Sequence, residues 1–264
     1  MNYIDSNKQA WEEAFDLRAP DWGIDIVERV QKEQYPFFEE DMVCVLKKYD
    51  FSGKVLAQFC CNNGRELLSL VNTTQAQQGW GFDIAENQVA FANEKAKELN
   101  LPCTFQAVNI LSLGADFHNS FDALIITIGA LCWFKDLDAF FGKVSACLKD
   151  KGVLLINEQH PITNMFGLPG EENYIPEHPT CLVNSYFSKE WIGNEGMFYM
   201  TQKRYLSKTF TDYSHPLSEI LTTMSRAGLR INAMQEFDYD ISGSFSDLSH
   251  KQIPLSYIIE AQKG

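Results

Sequence analysis

Between Lys54 and Gln159, short apolar runs alternate with amphipathic stretches, and no other feature limits the fold as strongly. The runs "KVLAQFC", "QGWGFD", "CTFQAV", "FDALIITI" and "GVLLINEQ" are short, rich in β-branched and aromatic residues, and bounded by turn residues. That pattern predicts strands. The stretches between them, "GRELLSLV", "AENQVAFANEKAKELN" and "KDLDAFFGKVSACLK", carry helical spacing. Strands that apolar are covered on both faces, and helical crossovers supply the cover. The expected class is therefore α/β, a doubly wound, mostly parallel, seven-stranded Rossmann-like sheet. "LKDKG", ending at Gly152, reads as a helix stop before the fifth strand. "RINAMQEFDYDI" and "PLSYIIEAQK" supply the late strands, after a helix "PLSEILTTMSRAGL" that His215-Pro216 opens.

On either side the pattern changes. Residues 1–50 read as an N-terminal helical segment, its first helix capped by Ser6 and carrying Ala10, Trp11 and Phe15 at helical spacing. Residues 51–159 form the α/β core, and 214–264 its C-terminal part. Residues 160–213 break the regularity with many aromatics and the punctuation "GLPGEENYIPEHP". This segment is expected as an inserted aromatic-rich cap over the sheet's carboxyl edge, with "CLVNSYFS" and "MFYMTQKRYL" as strands.

Composition narrows the function classes. The formal net charge is −13, with Lys and Arg scattered, so no basic face is available to neutralise phosphates. Nucleic acid is not an expected partner. The N-terminus is polar and acidic, and the longest apolar run falls short of the roughly 20 residues a membrane span needs, so a soluble cytoplasmic protein is expected. Seven cysteines, an odd number with no C-x-x-C, read as reduced thiols. No metal is expected; "EHPTC", with His178 and Cys181, is the nearest approach to a ligand cluster. The oligomeric state is left open.

In open parallel sheets ligands bind beyond the carboxyl ends of the strands, where strand order reverses. After the first strand comes "CCNNG", which lacks the G-x-G-x-x-G that a pyrophosphate requires. No P-loop motif occurs either. The second strand ends in Asp83, an acid placed to accept hydrogen bonds from both hydroxyls of a ribose. Together these point to an adenosine-type ligand without a phosphate bridge.

This constellation resembles the class I S-adenosylmethionine-dependent methyltransferases, over roughly Phe51 to Gln159. "LAQFCCNNG" aligns with the family's first motif: Gln58 takes the acidic position, Cys60 the first glycine, Asn62 the second and Gly64 the third. The resemblance implies that this loop cradles the methionine part of the cofactor. It also implies that Asp83 binds the ribose, with Ile84 beside it, and that Asn109 and Ile110 meet the adenine. Ile128, after the fourth strand, adjoins the same ligand. "LCWFKDLD" followed by "HP" is similar to a small-molecule branch labelled type 11 or 12. The departures are two lost glycines and two acids become amides. Asn tolerates left-handed backbone, so "NN" still permits a tight turn. Tyr3 and Trp11 are candidates to lid the cofactor, and Arg18 to pair with its carboxylate; helix packing is the alternative for the aromatics.

For the acceptor, His160 directly follows the fifth strand. It reads either as a base for a hydroxyl or amine, or as a histidine that only bonds backbone at a turn before Pro161. Glu158 would orient it or contact a substrate amine, and Tyr174 and His178 would line the acceptor pocket. No Asn/Asp-Pro-Pro-Tyr and no Pro-Cys follows the fourth strand, where "TIGAL" stands. The expected activity is methyl transfer from S-adenosylmethionine, with S-adenosylhomocysteine as product, to an oxygen, nitrogen or sulfur of a small molecule. A non-catalytic module of the same fold and an oxidoreductase are the rivals.

Overall fold

In the core strands the two sheet faces alternate residue by residue. Ala57, Phe59, Leu124, Ile126, Leu154 and Ile156 enter one buried cluster; Leu56, Ala123, Ile125 and Leu155 enter the other. This is the period of two that a pleated strand imposes, with both faces apolar. The computed structural model describes residues 2–168, 171 and 173–264.

Three helices lead: α1 (Tyr3–Asp16), α2 (Ile26–Lys32) and α3 (Glu40–Leu46). Then β1 (Val55–Phe59), α4 (Arg65–Thr74), β2 (Gln78–Asp83), α5 (Glu86–Glu98), β3 (Cys103–Ala107), β4 (Phe121–Ile126), α6 (Leu137–Cys147) and β5 (Leu148–Gln159) alternate. A ribbon of β6 (Glu190–Gly193) and β7 (Phe210–Tyr213) follows, with α7 (Phe198–Thr201) between its strands. The chain closes with α8 (Leu217–Arg226), β8 (Leu229–Phe237) and β9 (Ser256–Lys263). One seven-stranded sheet runs β3-β2-β1-β4-β5-β9-β8; β1 to β5 are parallel, and β9 is antiparallel to both neighbours. The expected doubly wound, mostly parallel sheet is what forms. Strand order reverses between β1 and β4, which opens a crevice at their carboxyl ends.

Helices α6 and α8 cover one face through Phe140, Phe141, Val144, Ile220 and Met224. Helices α2 to α5 cover the other through Ile26, Val30, Met42, Leu67, Leu68 and Val89. Each fully buried side chain of this size contributes about 1.5–3 kcal/mol of transfer free energy.

Several local expectations give way to tertiary contacts. Helix α1 starts at Tyr3, not at Ser6: the Asn2 side chain accepts from the Asp5 N–H at 2.9 Å, while Ser6 donates to the Thr209 carbonyl at 2.8 Å. The expected stop at "LKDKG" falls inside β5, where Lys151 rather than Gly152 takes the left-handed conformation (φ 61°). Gly152 is needed for close approach, since a Cβ there would lie 2.8 Å from the Lys149 carbonyl. "CLVNSYFS" forms no ladder, only a single bridge between Phe166 and Leu182, and "MFYMTQKRYL" holds the short α7. The ribbon strands lie instead at 190–193 and 210–213.

Candidate functional site

The turn after β1 keeps the geometry of a glycine loop without its glycines. Cys60, Asn62 and Gly64 all have positive φ, at 55°, 48° and 77°. The loop is drawn toward β2 because Cys61 N–H donates to the Phe82 carbonyl (3.1 Å) and Asn62 N–H to Asp83 Oδ2 (2.8 Å). Asn62 Oδ1 accepts from the Asn63 N–H at 2.8 Å, the local bond that lets Asn hold this conformation. Gly64 cannot be replaced on steric grounds either: a Cβ would sit 2.6 Å from the Phe105 ring and 2.9 Å from Ala92. Gly81 in β2 gives the same ring its space, a Cβ there lying 2.2 Å from it. Glycines within the "GWGFD" strand were the sequence signal for that close approach.

Asp83 is half-buried at the end of β2. Its Oδ2 holds Asn62 and its Oδ1 accepts from the Ala85 N–H at 3.0 Å, so each oxygen keeps a lone pair for a ligand. Burial raises its pKa, and the backbone donors of Ala85, Asn62 and Ile84 oppose that. Beside it opens a cleft of about 320 Å³ lined by Ile84, Ala107, Val108 and Asn109 from the sheet edge, and by Asn2, Ile4, Asp5 and Lys8 from the N-terminus. Asn109 Oδ1 accepts from the Leu111 N–H at 3.1 Å, starting the 3-10 turn Ile110–Ser112, and retains a second lone pair. Ile110 is only 4% exposed and belongs to the core beneath, not to the cleft. Ile128 stands 37% exposed after β4.

Gln58 is fully buried under the loop. Its Nε2 donates to Thr127 Oγ1 at 2.9 Å, while its Oε1 has no partner among the described residues. Helix α1 forms the outer wall. Tyr3 packs edge-on against Tyr213 (5.3 Å), and Trp11 against Trp133 (5.3 Å) and Phe210 (5.5 Å). Asn7 ties the helix to β7 in both directions, donating to the Thr211 carbonyl (2.7 Å) and accepting its N–H (2.8 Å). Tyr199 of α7 brings its hydroxyl within 3.5 Å of Asn62 Nδ2.

Five expected assignments are not what the geometry provides. Arg18 donates to the Phe15 carbonyl at 2.7 Å and lies over the Phe15 and Phe91 rings, at 4.0 and 5.7 Å, so its guanidinium is occupied at the end of α1. Glu158, 4% exposed, does not orient His160. Its two oxygens accept from the N–H groups of Gly129 (2.7 Å), Ala130 (2.6 Å), Leu131 (3.0 Å) and Gln159 (3.1 Å), which gathers the turn after β4. His160 is turned toward β8, away from the β1–β4 crevice. Its Nδ1 accepts from the Ile162 N–H at 3.1 Å, so in the neutral ring the proton sits on Nε2, which lies 3.0 Å from Glu236 Oε1. Burial lowers its pKa against the pull of Glu236. Tyr174 donates to Asp247 Oδ2 at 2.8 Å over the β9 side of the molecule, and His178 is exposed at the surface. Neither is brought to the crevice. Among the described residues, His178 and Cys181 gather no third ligand, and no group of three could hold a metal.

One residue at the crevice gave no signal in the sequence. Asp212, in β7, has a half-buried carboxylate with no hydrogen-bond or ionic partner among the described residues. Burial alone pushes its pKa up to about 6. Cys132, in the 3-10 turn Leu131–Trp133 after β4, is close enough to be raised by Asp212, Glu158 and Cys60, after burial itself.

Residues 57–152 match a family model described as a methyltransferase domain. An uncharacterized methyltransferase of Schizosaccharomyces pombe is 28% identical over 125 residues, which is 45% of this chain and 43% of that protein. The chain thus matches less than half the length of that curated relative. Among solved structures, an S-adenosylmethionine-dependent methyltransferase from Mesorhizobium loti is similar with a TM-score of 0.61 and 16% identity, covering 83% of this chain and 96% of its own. Geranyl diphosphate C-methyltransferase from Streptomyces coelicolor A3(2), crystallised with Mg2+, geranyl diphosphate and S-adenosylhomocysteine, is similar with a TM-score of 0.63 and 13% identity, covering 100% of this chain and 99% of its own. At such identities the likeness is one of fold.

Proposed function

Because the chain carries a methyltransferase domain in the class I fold, we propose that it moves a methyl group from S-adenosylmethionine to an oxygen, nitrogen or sulfur atom of a small molecule. The observation that carries this reading is the carboxyl edge of β1, β2 and β3. A turn with three left-handed residues follows β1, an acid bonded to that turn ends β2, and a cleft of about 320 Å³ opens beyond the ends of β2 and β3.

S-adenosylmethionine supplies the electrophile, a methyl group on a sulfonium, so the protein's task is to position two partners and exclude water. In this reading Asp83 accepts the ribose hydroxyls on the lone pairs that Asn62 and Ala85 leave free. Ile84 offers an apolar contact to the base and Asn109 an amide to its polar edge. The backbone of Cys60, Asn62 and Gly64 curls around the amino-acid end, with Ile128 at the rim. Tyr3 and Trp11 stiffen the wall rather than face solvent.

The segment 160–213 is read as the cap that selects the acceptor; its exposed Ile175, Leu182, Phe187, Trp191 and Phe198 suit a molecule with apolar or planar parts. A carbon methyltransferase among the neighbours makes carbon acceptors a necessary arm of any screen. The net charge of −13 speaks against nucleic acid, and the seven free thiols favour the cytoplasm. Among the described residues no helix is long and apolar enough to cross a membrane.

Calorimetric titration with S-adenosylmethionine and S-adenosylhomocysteine, with NADH as control, tests the reading. Micromolar binding weakened about tenfold or more by Asp83→Ala, the loss of one charge-assisted contact pair, is expected. Absence of binding at millimolar ligand sinks it. Gln58 and Cys60 motivate a second reading, a module that senses the cofactor without turnover. Binding with no methylation of any acceptor class would select that one.

A further inference from the structure

The acids at the carboxyl edge divide sharply by what they hold. Asp83 binds the β1 turn and Glu158 the β4 turn, each through backbone N–H groups. Asp212 holds nothing. It pairs with Trp191 through the backbone of the ribbon, and its carboxylate is half-buried with no partner among the described residues. A half-buried carboxylate that no protein donor claims keeps its lone pairs available to the N–H or O–H of a ligand.

Its placement follows from the strand. Side chains two apart in β7 share a face, so Asp212 points the way Phe210 points. The Phe210 ring lies 5.8 Å from Trp133 and 5.5 Å from Trp11. Asp212 therefore hangs over the turn that follows β4, across from Cys132, with Cys60 and Glu158 behind that thiol. The alternate residues of β7 are locked to α1, Thr211 by Asn7 and Tyr213 by Tyr3, so the carboxylate has little freedom to swing out. The titratable groups that sense its charge are Cys132 on the sheet side, a thiol that Cys60 and Glu158 also approach, and its chain neighbour Tyr213, which faces Tyr3 and Glu190 on the other side of the ribbon. Lys135 lies over the Tyr213 ring at 5.8 Å. None is a cation bonded to Asp212.

We propose that Asp212 is the residue that holds the methyl acceptor at the transfer point, and that the acceptor presents it a hydrogen-bearing nitrogen or oxygen, an amine or a hydroxyl. The assignment rests on the methyltransferase reading above and narrows it, since a thioether or an unactivated carbon offers no such donor. In the transfer, the new bond joins the acceptor nitrogen or oxygen to the methyl carbon. The carbon–sulfur bond breaks with its electron pair left on sulfur, and the proton released by the acceptor passes to the Asp212 carboxylate. Asp212 is then both the orienting contact and the proton acceptor, the role that His160 cannot fill from its position against Glu236.

Sinefungin tests this without a known acceptor, because it carries a protonated amine where S-adenosylmethionine carries its methylsulfonium. Titrations of sinefungin and S-adenosylhomocysteine are run on the wild type, Asp212→Asn and Asp212→Ser. The wild type is expected to bind sinefungin about tenfold more tightly than S-adenosylhomocysteine, the worth of one charge-assisted contact. Both variants should bind the two ligands alike while keeping wild-type affinity for S-adenosylhomocysteine, which also reports that they fold. The preference should fade as pH falls through about 6, where the carboxylate takes up a proton. No preference in the wild type, or one that survives both substitutions, overturns the assignment. Failure of the wild type to bind either ligand overturns the methyltransferase reading itself.

Discussion

Glu158 and Asp212 are both acids near the carboxyl edge of the sheet, one buried and one half-buried, and they differ in what they hold. Glu158 receives four backbone N–H groups, three of them from Gly129, Ala130 and Leu131. Asp212 receives none from the described residues. Burial pushes both carboxyls up, and only Glu158 has donors that pull it back. The difference teaches how to separate architecture from function in this fold. A buried charge whose hydrogen-bonding capacity is filled by backbone maintains a turn. A half-buried charge that no backbone donor claims, on a strand braced from behind, stays open to a ligand's hydrogen-bond donor. His160 sorts with Glu158: its Nδ1 caps the turn at Pro161–Met165 and its Nε2 faces Glu236.

The contrast can be broken most directly at Glu158. Replacing it with Leu leaves three turn N–H groups without acceptors, and the expected loss is about 3–5 kcal/mol in urea unfolding. A loss below about 1 kcal/mol would mean that the four bonds do not carry the turn, and the distinction would collapse. Asp212→Asn should act in the opposite direction. The folded-state pKa of Asp212, about 6, lies above the ordinary aspartate value of 3.8. Between those values the folded chain binds more protons than the unfolded one, so stability falls as pH rises through that window. Removing the charge should raise stability at pH 7 by about 1 kcal/mol after allowance for solvent screening, and flatten the pH 4–6 slope of unfolding free energy. Destabilisation at pH 7 would indicate a structural partner and place Asp212 beside Glu158. The smallest effect is expected in the β1 turn. Cys60 holds φ 55°. Cys60→Gly should therefore stabilise by up to about 1 kcal/mol from relieved left-handed strain, less the apolar contact of the thiol. A clear loss in thermal unfolding would show that packing of the thiol outweighs the strain.

Much of the molecule was legible in the chain. The run from Lys54 to Gln159 reads out its strands and helices because each element shows its own period. The places of Asp83 at the end of β2 and of Asn109 just after β3 were legible because each apolar run marks where its own strand stops. The turn "CCNNG" was legible as a turn, since Asn at position 62 and Gly at 64 accept left-handed backbone; that Cys60 does so too required the structure. The segment 160–213 was not legible strand by strand. Its aromatics suit either a strand or a short helix, and the β6–β7 pairing spans 190–213, so no local signal fixes the register. Arg18 and Tyr174 were misplaced for a related reason: the Phe15 carbonyl and Asp247 that claim them are defined only once helices and loops have packed.

The sequence alone determined the layered α/β architecture, where its strands end and the lack of a phosphate-cradling motif, because those follow from local period and residue type. Tertiary structure decided which polar groups at that edge are spent and which are free. Whether an acid is satisfied depends on where distant backbone N–H groups point, and that is settled only when β4, β5, α1 and the β6–β7 ribbon come together.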